Sequence, residues 1–244
     1  MKIESKSTRF HERTRLEIPV EVIYNENTES AWHEQTRTEE LTICGGGFTL
    51  SHPIEPKRLV HLQLPMPKNY RLFDFGKTQY DVWGVVRYVH LLEENLQNEI
   101  RLKVGAALVG NNPPRSFLLD PHTLYDLKPV LRKQSLWDLR EIPRQTGRYV
   151  RSSENRREIE IKVVLETLNE QGRIIETVVA ETENISESGM ALKVKFSASC
   201  PRYVLVKTIN NSLSLLAKVR GARVLDADNN LRLHLEFLSG KWFV

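Results

Sequence analysis

One stretch of this chain occurs twice. Residues 40–50 read ELTICGGGFTL and residues 182–192 read TENISESGMAL; aligned without gaps, Thr42, Cys44 and Gly47 fall opposite Asn184, Ser186 and Gly189. Each stretch follows a segment with apolar residues at alternate positions, LEIPVEVIY (16–24) and EIEIKVVLE (158–166). That two-residue period belongs to a strand with one buried face. Arg13 lies 29 residues before Thr42, and Arg156 lies 28 before Asn184. Downstream, YDVWGVVRYVHLL (80–92) with EIRLKVGAALVG (99–110) reads as a hairpin, as does 213–240 with its DADNN turn. Short strands separated by turn signals, set out twice, predict two small antiparallel barrels or sandwiches.

The 244 residues are enough for two domains of about 100–120 residues each. The expected divisions are 1–115 for the first copy, 116–147 for a connector and 148–244 for the second copy. In SFLLDPHTLYDLKPVLRKQSLWDLREIPRQ (116–145) leucines and aromatics fall at helical spacing. Asp120 before Pro121 suits a helix start, and Pro129 would kink the stretch, so the connector is expected to be helical. The segment MPKNYRLFDFGKTQ (66–79) is expected to be a loop with its aromatics against a neighbour.

Function classes narrow by what is missing. No run of 18 apolar residues occurs, so no membrane span is expected. The first residues, MKIESKSTRFHERT, do not read as a secretory leader. Cys44 and Cys200 are far apart and lack CxxC spacing, which fits a reducing compartment, so a cytoplasmic location is expected. The seven histidines are scattered, and no GxSxG, Walker or HExxH string is present. Neither catalysis nor a metal site is expected. Gly45, Gly46 and Gly47 lack the GK[ST] and helix of a phosphate loop and predict a tight turn or bulge with positive φ. The net charge of +4 weakly favours an anionic partner.

Two groups of residues could carry chemistry. RFHER (9–13) places Arg9 and Arg13 directly before the first strand. Arg140, Arg144, Arg148, Arg151, Arg156 and Arg157 precede the matching strand. A guanidinium is planar, stays charged, donates in a fork and stacks on flat rings, which suits phosphates and guanine edges together. The second group is Asn184-x-Ser186-x-x-Gly189: two short polar side chains, and a glycine that admits close approach. Taken singly, the first reads as solvated charge and the second as a turn.

In combination, an arginine pair, a strand of LEIPV type and then [D/N]xSxxG resemble PilZ domains, over nearly the whole chain apart from the connector. The resemblance implies two six-stranded antiparallel β-barrels and a bacterial receptor for cyclic di-GMP that is not an enzyme. The ligand would be held by RxxxR arginines and by the [D/N]xSxxG residues. Carried over residue by residue, it implies ligand contacts from Arg148, Arg151, Arg156, Arg157, Asn184, Ser186 and Gly189. Arg9, Arg13, Thr42, Cys44 and Gly47 mark a second site, with Thr42 and Cys44 departing from the motif and Ser152 opposite Arg9. Binding is expected to change the arrangement of the two domains and signal to a protein partner in motility, pilus or exopolysaccharide control. The alternative is a degenerate tandem acting as a ligand-independent adaptor. Nucleic acid is not expected as a partner, since surface aromatic clusters for base stacking are lacking.

Overall fold

The structure is a computed structural model describing residues 14–92, 98–128, 135–143, 156–196, 200–226 and 230–243. The chain divides into two compact units. One gathers Met1–Thr49, Lys57–Arg87 and Val104–Arg144; the other gathers Leu50–Pro56, Tyr88–Lys103 and Gln145–Val244.

The first copy forms β1 (Thr14–Arg15), β2 (Pro19–Asn25), β3 (Ala31–Thr42), β4 (Gly45–Leu50), β5 (Leu59–Leu64), β6 (Tyr80–Leu91) and β7 (Leu102–Gly110). Six of these close a ring in the order β3-β2-β5-β6-β7-β4, β4 pairing back onto β3, and β1 adds to β3. The alternation read from LEIPVEVIY is real: Val20, Val22 and Tyr24 are buried, and the residues between them are partly exposed.

The connector is not the helical stretch expected. A single short helix, α1 (Arg115–Leu119), is followed by a two-stranded sheet of β8 (Leu124–Leu127) and β9 (Leu139–Ile142). Asp120 ends α1 instead of starting a helix; its carboxylate accepts from the His122 amide at 3.0 Å. Pro129 lies outside the described residues. The apolar side chains that suggested a helical stripe, Tyr125, Leu127, Trp137 and Leu139, pack with Leu59, Val85 and Phe117. The backbone is satisfied by strand-like bonds, from Tyr125 N to Lys57 O at 2.8 Å and from Trp137 N to Leu108 O at 2.9 Å. A segment that lies on existing carbonyls in this way has no need of internal helical bonds.

The second copy forms β10 (Lys162–Leu168), β11 (Ile174–Ser186), β12 (Gly189–Val194), β13 (Tyr203–Thr208), β14 (Ser214–Val224) and β15 (Leu231–Phe237). They close a barrel in the order β10-β11-β12-β15-β14-β13. Inward residues such as Val163, Leu165, Met190, Leu192, Leu233 and Leu235 fill it. No helix among the described residues is long and apolar enough to cross a membrane.

Two expectations about loops meet different outcomes. The 66–79 segment is a loop, with a single turn at Lys68–Tyr70 and Phe73 against Tyr80 at 4.5 Å. Its organiser is Arg71, 6% exposed, which donates to the carbonyls of Met66 (2.7 Å), Asp74 (3.0 Å), Lys77 (2.7 Å) and Thr78 (3.0 Å). The glycine run, by contrast, is not a positive-φ turn. Among the described glycines positive φ occurs at Gly110 and Gly172, and Gly45–Gly47 lie in β4. They are small because space is short: a Cβ on Gly45 would stand 3.0 Å from Ala106 O, and one on Gly46 2.9 Å from Leu41 Cδ2.

Candidate functional site

Two buried threonines set the geometry in both barrels. In β11, Thr182 donates to Ile159 O at 2.6 Å and accepts from Ile161 N at 3.0 Å. In β3, Thr38 donates to Leu16 O and accepts from Ile18 N at 3.1 Å. Each threonine therefore pins the segment that leads into the first long strand of its barrel. Each is followed by a one-residue bulge, at Glu183 and Glu39. A bulge bends the strand and re-aims the side chains beyond it.

Past the bulge each strand turns back in a two-residue hairpin. In the second barrel Asn184 pairs with Ala191, Ile185 with Met190 and Ser186 with Gly189. In the first, Glu40 pairs with Gly47, Leu41 with Gly46 and Thr42 with Gly45. The structure thus shifts the repeat by two residues from the gapless alignment: Glu40, Thr42 and Gly45 stand where Asn184, Ser186 and Gly189 stand. Thr42 Oγ1 donates to Gly45 O at 3.2 Å, and Ser186 Oγ donates to Gly189 O at 3.2 Å. Cys44 and Gly47 are not the counterparts of Ser186 and Gly189. The gapless comparison failed because the strings are too short to place the register, whereas the threonine and the bulge place it unambiguously. The first copy keeps the hydroxyl and the glycine, and changes the amide to a carboxylate.

The arginine segments join the hairpins at equivalent points. Arg157 exchanges both backbone hydrogen bonds with Ile185, at 2.9 and 3.0 Å. Thr14 pairs with Leu41 in the same place. One residue back in this antiparallel pairing, Arg156 is opposite Ser186. Arg156 and Arg157 are exposed. Arg9, Arg13, Arg144, Arg148 and Arg151 lie outside the described residues. Arg140 is described, and its guanidinium pairs with Asp126 at 3.1 Å.

Ile185, Met190 and Leu192 point into the core, so Asn184, Ser186, Ala191 and Lys193 face outward. Asn184 Oδ1 is buried and has no hydrogen-bond partner among the described residues. A buried amide oxygen left in this way is costly unless something meets it. Gly189 has a structural duty as well, since a Cβ there would stand 2.2 Å from Leu235 O on the neighbouring strand.

Sequence reasoning missed two features. The C-terminal segment holds the hairpin tip: Phe237 N donates to Ser188 O at 2.7 Å, Trp242 N to Glu187 O at 3.0 Å, and Lys241 pairs with Glu187 at 2.6 Å. That ammonium, through its hydrogen bond first and its charge second, keeps the Glu187 carboxyl below its usual range. Lone polar residues near a chain end carry no pattern that could have shown this. The second feature is Glu55, 2% exposed, which accepts from Lys218 at 2.7 Å and Tyr203 at 3.2 Å, with Arg220 at 3.6 Å and Arg202 at 3.9 Å. Burial, outweighing the attraction of Glu55, lowers the Lys218 pKa. An open groove of about 310 Å³ lies beside Lys193, lined also by Lys162, Lys195 and Asn230. No cluster of three or more metal-binding side chains occurs among the described residues.

No protein-family model matches the chain, and no curated protein matches it. Solved structures do match along most of its length. PlzA of Borreliella burgdorferi, solved in complex with c-di-GMP, is 9% identical with a TM-score of 0.28, covering 92% of this chain and 86% of that one. The inhibitor of motility MotI/DgrA of Bacillus subtilis is 11% identical with a TM-score of 0.26, covering 92% and 89%. YcgR of Escherichia coli, also solved with c-di-GMP, is 10% identical with a TM-score of 0.23, covering 91% and 76%. At these TM-scores the likeness bears no weight here, and the two-barrel architecture stands on the strand pairings of this chain itself.

Proposed function

We propose that this protein is a receptor for cyclic di-GMP of the PilZ kind, binding through the outer face of its second barrel. The observation that carries this reading is the buried amide oxygen of Asn184, which has no hydrogen-bond partner among the described residues, set beside Ser186 and against a backbone bridge that brings Arg156 and Arg157 alongside. An amide meets the edge of a guanine with donor and acceptor together, and guanidinium groups meet phosphates and stack on bases. Arg148 and Arg151 are the further arginines that the resemblance assigns. Ligand binding would fix the arginine segment and so alter the arrangement of the two barrels, passing the signal to a protein partner.

Isothermal titration with cyclic di-GMP tests the reading. Binding is expected at micromolar concentration or below, and to be lost in Asn184→Ala and Arg156→Ala. No heat from the wild-type chain at high ligand concentration would leave the adaptor reading in its place. Small-angle scattering with and without saturating ligand tests the rearrangement separately; identical profiles would refute it.

A further inference from the structure

We infer that Arg232 and Lys193, gathered by Glu183, form a second cationic wall across Asn184 from the arginine segment, and that Arg232 takes a phosphate of the ligand. This rests on the reading above and adds residues that the motif does not contain.

Glu183 is the bulge residue next to Asn184. Its carboxylate pairs with Arg232 at 2.6 Å and with Lys193 at 3.5 Å. Lys193 lies two residues beyond Ala191 on β12, and Arg232 two residues from His234 on β15, so both share the outward face of Asn184. Lys193 is directly opposite Arg232, and Arg232 directly opposite Arg223. Three cations side by side on neighbouring strands are unfavourable for a sheet, and Glu183 neutralises one of them.

The first barrel serves as an internal control. There the same bulge carboxylate, Glu39, accepts from the Thr49 hydroxyl at 2.6 Å. The bulge therefore does not require a lysine at the position of Lys193. Lys103, five residues before Leu108 as Arg232 is five before Phe237, leaves that barrel one cation of the pair; Leu108 N and Phe237 N make the same bond to the hairpin turn.

Between the walls Ala191 is fully covered and His234 is exposed. Ala191 and Gly221 flank His234 in one cross-strand row starting at Asn184. From the arginine segment over β11 and β12 to β15 is three strand spacings, roughly 14 Å, and Arg232 is four residues along β15 from Glu236, which is level with Arg156, so the two cationic groups stand diagonally about Asn184 with backbones roughly 19 Å apart. Guanidinium side chains reaching inward from both sides can meet two phosphates set on opposite sides of one macrocycle. A mononucleotide, with a single phosphate group, can satisfy only one wall.

The test is titration of the full chain with cyclic di-GMP and with GMP, for wild type, Arg232→Ala, Arg232→Lys and Arg223→Ala, with thermal unfolding to confirm that each variant folds. Arg232→Ala should weaken cyclic di-GMP by roughly tenfold or more while changing GMP little, so that discrimination between the two falls. Arg232→Lys should restore part of it, and Arg223→Ala, away from Glu183, should resemble wild type. Wild-type binding with Arg232→Ala unchanged, or an equal loss for both nucleotides, overturns the second wall alone. Absence of wild-type binding overturns the wall and the receptor reading together.

Discussion

Replacing Thr182 by valine keeps the shape of a side chain that is 1% exposed and removes its hydroxyl. Two bonds disappear, to Ile159 O at 2.6 Å and from Ile161 N at 3.0 Å. Each is worth about 1 kcal/mol net, and each half-buried partner left unmet adds to that, so the expected loss is about 2–4 kcal/mol. For a unit of about 120 residues each kcal/mol lowers the melting temperature by about 3–6 °C. Thr38→Val removes the matching pair, to Leu16 O and from Ile18 N, and should cost a similar amount in the first unit. Thr→Ser at either position should recover most of the loss, because the hydroxyl is what acts. Differential scanning calorimetry of the four variants gives the result directly. Losses below about 0.5 kcal/mol for both valine variants would refute the view that these hydroxyls hold the leading segments, since surface-like changes fall in that range. The same substitution at 182 should weaken ligand binding, because the bridge at Arg157 begins two residues from Ile159.

Gly189→Ala should unfold the second barrel more readily than Gly45→Ala unfolds the first, since the added Cβ would lie 2.2 Å from a backbone oxygen in one and 3.0 Å in the other; urea midpoints compare them, and equal midpoints would count against the packing argument. Arg71→Ala should release the 66–79 loop at a cost of about 1.5–3 kcal/mol, with faster amide exchange confined to that loop, and Arg71→Lys should rescue little because an ammonium cannot span the same carbonyls. Burial lowers the His61 pKa below 6.5, against the opposing pull of Asp81 and Glu21. The unfolded chain then binds the proton more readily, so the His61 contribution to stability is present above pH 6.5 and is lost as pH falls from there towards the folded pKa. His61→Gln should flatten that part of the stability profile measured between pH 5 and 7.

Strand periodicity was legible wherever one face of a strand meets a core, as at Val20, Val22 and Tyr24 or Val163 and Leu165. The duplication could be read, but its register could not, because Glu40, Thr42 and Gly45 are identical to Asn184, Ser186 and Gly189 only at the glycine, the Thr42 and Ser186 hydroxyls matching in role and not in residue type. TEELTICG (38–45) and TENISESG (182–189) also align without gaps, sharing Thr, Glu and Gly, so the sequence offers two registers of similar merit and only the bulge after the threonine decides between them. The connector was misread for a related reason. Leucines three and four apart also serve a short strand pair with a bend between, and only the carbonyls waiting at Lys57 and Leu108 decide the matter. The cations beside Glu183 were hidden because Lys193 and Arg232 are 39 positions apart in sequence and adjacent only after β12 pairs with β15.

The residues beside Trp242 have a practical consequence. The indole is buried, stacked on Phe237 with ring centres 6.0 Å apart, and its amide holds the carbonyl of Glu187. Any movement of the hairpin tip must disturb that ring, so once Trp32, Trp83 and Trp137 are replaced its fluorescence reports on the tip without a dye.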